Sequence, residues 1–174
     1  MKNLKDKTIL GNELGQSFNE VFHYCTGLSE EQFFGANENK WSIAENIHHL
    51  ILSTSPLIQA LNLPKIVIAS VGGKSKRASS SYNELVESYQ QHLKEGGKAT
   101  GKYVPKDGKK YSMAQSLSKY QMNGTKLIKV LQKWTEEELD QYLLPHPLLG
   151  KITVREMLYF SVYHNFHHLK AIKN

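Results

Sequence analysis

The stretch YHNFHHLKAIKN, residues 163–174, puts three histidines within five positions in a chain that has eight. Neutral imidazole is the commonest metal ligand and a general base near pH 7, so the spacing decides which chemistry is open. At 3.6 residues per turn, His164 and His168 share one helix face beside Met157, whereas His167 points to nearly the opposite side, toward solvent. Two imidazoles one turn apart can converge on a single ion, as metal sites in helical bundles are built. Helices also carry this spacing by chance, so a site needs a further ligand from elsewhere.

The other histidine cluster lies in WSIAENIHHLI, residues 41–51. There Ile43, Ile47, Leu50, Thr54, Leu57, Ile58 and Leu61 form an apolar stripe, and His48 and His49 fall on its opposite flanks. Periodicity does not choose between the two. Cys25, the lone cysteine, allows no internal disulfide and no thiolate zinc cluster, and Val21, Phe22 and Leu28 around it describe a buried core thiol.

These residues must be positioned by helices. A Ser or Thr followed three residues later by Glu or Gln recurs at Ser29/Gln32, Ser42/Glu45, Ser81/Glu84, Ser112/Gln115, Thr135/Glu138 and Thr153/Glu156. Such capping boxes, most opening a stretch of helical periodicity, predict an all-α chain. Helices are expected over 11–27, 42–62 (kinked near Pro56), 82–95, 112–134 and 153–172, with a short turn at 29–34. IVIAS, residues 66–70, is β-branched but has no strand to pair with, so it reads as helical or irregular. The Gly-, Ser- and Lys-rich stretch 72–110 is a long connection carrying one helix. The sum is a four-helix bundle with an extended crossover, read as one domain over 1–174.

Net charge is +6, concentrated in 73–77 and 102–110, without the aromatic interleaving or reading helix that nucleic-acid binding calls for. Lys-rich loops of this kind are usually solvated surface, and a basic pocket attracting an anionic substrate is the secondary reading. No apolar run is long enough for a membrane span and none near the start suits a signal peptide, so a cytoplasmic protein with no membrane partner is expected.

Trp41-Ser-Ile-Ala-Glu-Asn-Ile-His-His-Leu resembles the segment of DinB/YfiT-like proteins in which a Trp and a capping Ser precede a ligand His. HPLLGKITVREMLYFSVYHNFHH, residues 146–168, is similar to that superfamily's final loop and helix, and SYNELVESYQQHLKEGGKA with the following YVP to its middle section. The resemblance runs from about residue 14 onward. It implies a DinB-like bundle with a divalent metal on His49, His164 and His168, and so selects His49 over His48. Three imidazoles leave coordination positions open, and all-nitrogen ligation suits zinc or nickel. The ion would lower the pKa of a bound water or thiol.

The family includes metal-dependent transferases using low-molecular-weight thiols such as bacillithiol, and metal-dependent hydrolases. A thiol S-transferase acting on a small-molecule substrate is the leading expectation. A hydrolase needs an acid or base nearby, and Glu45 and His146 are the catalytic candidates. Glu45, one turn before His49, either receives the imidazole's other N–H or only completes the Ser42 capping box. His146, between Pro145 and Pro147, sits at the mouth of the site or serves the turn alone. A non-enzymatic stress-response binding protein is the third expectation. Family members pair through helices, so a homodimer is implied. Trp41, just before the N-cap, is expected to pack as a hydrophobic staple, and Tyr103, Tyr111, Tyr120 and Tyr163 are candidate hydroxyl donors.

Overall fold

Helix starts are written into the side chains. In the computed structural model, which describes residues 4–35, 40–106 and 111–174, all six capping boxes close. They open α2 (Glu30–Phe34), α3 (Ile43–Leu61), α5 (Tyr82–Lys94), α6 (Met113–Leu131), α7 (Glu136–Gln141) and α8 (Val154–Lys173). Asp6 caps α1 (Lys7–Thr26) through its carboxylate, and α4 (Lys65–Val71) follows Pro64. The helix α3 continues through Pro56.

The four long helices α1, α3, α6 and α8 form an all-α bundle in which α1 and α3 each contact both α6 and α8. Leu10, Leu14, Phe18 and Val21 of α1 meet Ile47, Leu50 and Leu61 of α3, Leu117, Leu127 and Leu131 of α6, and Leu158 of α8 in the core. Burying apolar side chains of this size stabilises by about 1.5–3 kcal/mol each before entropy is counted. Cys25 is fully buried, and burial pushes its thiol up to about 12, which makes it a packing residue. No single helix among the described residues is long and apolar enough to cross a membrane.

Helices α1 and α6 approach closely at Gly124. A Cβ there would lie 2.7 Å from the Phe18 ring, which itself packs 5.0 Å from Tyr120. Gly124→Ala is therefore expected to cost about 1–3 kcal/mol through overpacking, more than alanine's helix propensity returns. Urea denaturation reads the difference.

Helical phase on α8 puts Val154, Leu158, Ser161, Leu169 and Ile172 on one inward stripe, which is narrower than the surface the fold buries. Residues 152–160 are all buried, including Arg155 and Glu156, because α5, α7 and a hairpin cover the sides that the bundle leaves open. Ser161 and Ile172, expected inward, are half-buried. The hairpin pairs β1 (Leu143–His146) with β2 (Gly150–Thr153), antiparallel, with His146 opposite Gly150. Gly150 closes the turn at φ 69°, a conformation natural to glycine.

Between α3 and α6 the crossover carries α4, then α5, then a 3-10 turn at Gly101–Tyr103, so IVIAS is helical. The crossover runs against β1 at Gly72, where a Cβ would fall 1.7 Å from the Leu143 carbonyl oxygen. The segment then locks onto the start of α8. The Glu156 carboxylate accepts two hydrogen bonds from Arg77, at 2.6 and 2.9 Å, and others from the backbone N–H of Ser80 and Thr153. Burial alone would raise the Glu156 pKa, but these donors hold it at about 2.

Candidate metal centre

Helix α3 contributes His49 and helix α8 contributes His164 and His168, all three buried, at 6%, 5% and 8% exposure. The His164 Nε2 lies 3.1 Å from Nε2 of His49 and 3.1 Å from Nε2 of His168. One nitrogen from each ring falls within 4.8 Å of the other two.

The tautomers of two rings follow from their partners. His49 Nδ1–H donates to the Tyr103 carbonyl at 2.7 Å, so its Nε2 carries only a lone pair. His168 Nδ1 lies 2.7 Å from Asn46 Oδ1. The Asn46 amide cannot be reversed, because its Nδ2 donates to the carbonyls of Trp41 and Ser42. His168 Nδ1 is therefore the donor and its Nε2 is also bare. A proton on His164 Nε2 can satisfy one of these lone pairs and not both. At least one pair of acceptor nitrogens faces across 3.1 Å with no proton between them. A cation among the three nitrogens resolves that conflict, so the residues fit a divalent metal.

Electrostatics point the same way. Burial lowers the pKa of all three imidazoles, and the neighbouring histidines lower His164 and His168 further. For His49 the Tyr103 bond opposes part of the lowering. Neutral imidazole is the form that ligates metal.

Trp41 packs on the cluster, with its ring 5.0 Å from His49 and nearly parallel to His168 at 6.4 Å. Its indole thus forms a wall of the site. His167, expected in solvent, is half-buried against His168 and Tyr163. The cluster opens onto a cavity of about 320 Å³ between α3, α5, α8, the hairpin and the crossover. Its lining is mostly apolar, with Leu57, Leu93, Leu144, Met157 and Phe160, together with Lys98 and Lys102.

The other candidates fall differently. Glu45 closes the capping box, its Oε2 accepting from the Ser42 N–H and hydroxyl at 2.7 and 2.8 Å, and it is absent from the cavity wall. The other N–H of His49 goes to Tyr103 instead. His146 is buried, lines the cavity and stands one ring away from the cluster. Its ring is 4.3 Å from Phe160, which stacks 4.7 Å from His164. Tyr120 donates to Asn165 within the core.

Two residues at the site escape a sequence reading. Asn46 holds His168 from another helix, and Tyr103 acts through its backbone carbonyl, not its hydroxyl. Asn46 shares the face of α3 that buries Ile47 and Leu50, and a buried Asn two helical positions from a histidine pair is the only signal it gives. Gly101, at φ 56°, begins the turn that presents the Tyr103 carbonyl.

A family model of the DinB superfamily matches residues 13–172. No curated protein matches the chain. The match covers nearly the whole sequence, and the chain belongs to the DinB superfamily.

Proposed function

We propose that this DinB superfamily protein binds one divalent ion, zinc or nickel, through His49, His164 and His168, and transfers a low-molecular-weight thiol such as bacillithiol to a small electrophile. The observation that carries the reading is the convergence of three Nε2 atoms, two of them stripped of protons by fixed partners, at the wall of an apolar cavity. When bound, the ion supplies Lewis acidity that favours the thiolate form of a thiol at neutral pH.

The chain's own residues do the rest. Asn46 and Tyr103 fix the two imidazoles, Trp41 and Phe160 exclude water, and Lys98 and Lys102 offer positive charge to the carboxylates that such thiols carry. The transfer forms one carbon–sulfur bond, the leaving group departs with its electron pair and the thiol proton passes to solvent. This step requires no dedicated base. Hydrolysis would gain from one, and among the described residues lining the cavity there is no carboxylate. Of the two acid–base candidates for a hydrolase, Glu45 is engaged in its capping box and the His146 Nδ1 already accepts two backbone N–H groups, which supports transfer over hydrolysis.

Metal-loaded protein incubated with bacillithiol, mycothiol or glutathione and 1-chloro-2,4-dinitrobenzene should give a metal-dependent rate with at least one thiol. The absence of such a rate with all three overturns the reading. Asn46→Ala is expected to weaken metal binding by about 10–100-fold, since partners that orient a ligand imidazole typically contribute that much. Competition with a chromogenic chelator measures it.

A further inference from the structure

His146 is more constrained than a turn residue needs to be. Its Nδ1 accepts the backbone N–H of Leu148 at 3.2 Å and of Leu149 at 3.1 Å. The Nδ1 lone pair is thereby occupied, and the neutral ring carries its proton on Nε2. Burial, with the charge of His92 adding to it, lowers the His146 pKa to about 4, so the ring stays neutral at physiological pH. The side chain is nine-tenths buried and lines the cavity, with its ring between Phe160 and Tyr89. Among the described residues, Nε2–H has no hydrogen-bond partner, and it is not a sealed atom: it stays open to the cavity that the side chain lines.

We infer that His146 is a substrate-binding residue whose Nε2–H donates a hydrogen bond to an oxygen acceptor on the ligand in the cavity. The ligand class is an apolar electrophile bearing a carbonyl-type oxygen, because a neutral donor in an apolar wall pairs best with an uncharged acceptor. The oxygen sits one aromatic ring away from the histidine cluster, with Phe160 between. A base at Nδ1 is excluded by the two N–H groups already bound there. The inference deepens the reading of the cavity as the substrate site and does not need the metal.

His146→Asn separates donor from scaffold. An asparagine side chain accepts backbone N–H groups two and three residues ahead, as His146 Nδ1 does, so the turn is kept while Nε2–H is lost. Acetophenone and ethylbenzene serve as probes of matched shape, one with a carbonyl and one without. The wild-type protein is expected to bind acetophenone about tenfold more tightly than ethylbenzene. Acetophenone should also shift the ¹⁵N signal of His146 Nε2, and in His146→Asn the preference should vanish. An unchanged preference in the variant, or a wild-type His146 signal that neither probe moves, overturns the inference. Should the variant fail to fold, the wild-type ¹⁵N shift alone decides. Because the titrations run without metal, a failure of metal uptake and a failure at His146 are read separately.

Discussion

Replacing His164 by alanine is expected to abolish the thermal stabilisation that zinc or nickel gives the wild-type protein. A ligand that binds only the folded state adds about 4 kcal/mol when free metal is a thousandfold above its dissociation constant. For a chain of this length that raises the melting temperature by roughly 10 °C. His164 is the centre of the cluster, 3.1 Å from each of the other two Nε2 atoms, so its loss leaves two nitrogens with no shared neighbour. The melting temperature of His164→Ala should therefore be nearly the same with and without metal. His167→Ala, one residue before His168 and outside the cluster, should keep most of the metal-dependent rise.

The largest loss of stability without metal is expected from Glu156→Gln. The carboxylate is 1% exposed and accepts from the Arg77 guanidinium and from the N–H groups of Ser80 and Thr153. The amide removes the charge and places an NH2 against donors. Breaking a buried pair costs about 3–5 kcal/mol, and Arg77 is half exposed, which puts the expected loss near the low end, about 3 kcal/mol. The pH dependence has a definite sign. The folded carboxyl titrates at about 2 against a usual 4.5, so its contribution is complete above pH 4.5 and disappears as pH falls toward 2. The stability gap between wild type and Glu156→Gln should thus be widest at pH 7 and close between pH 4.5 and 2, as urea denaturation at several pH values will show.

How much of this was legible in the sequence depends on what kind of signal each part leaves. Capping boxes are local and chemical, and all six marked real helix starts, including Thr135/Glu138 of the short α7, which apolar periodicity alone does not reveal. The i, i+4 pair on α8 was likewise readable, because helical phase follows from spacing. Choosing His49 over His48 took the family resemblance, since both flank the stripe; the fold buries His49 and leaves His48 half-buried. The hairpin left almost no trace. Its strands are four residues each, and Pro145 and Pro147 argue against a strand wherever they occur. With the hairpin unseen, His146 could be read only as a loop residue before α8, at the mouth of the site or serving the turn alone, and the breadth of the buried surface on α8 could not be foreseen. Tyr103 is opaque for a deeper reason. It acts through a carbonyl that every residue possesses, so only the path of the crossover selects it.

The central claim is that His49, His164 and His168 hold one divalent ion through their Nε2 atoms. X-ray absorption on untagged protein loaded with one equivalent of zinc tests it most directly. A first shell containing three imidazole nitrogens at about 2.0–2.1 Å, reduced by one in His49→Ala, is the predicted result. A shell of oxygens alone, or a spectrum unchanged by His49→Ala, would contradict it.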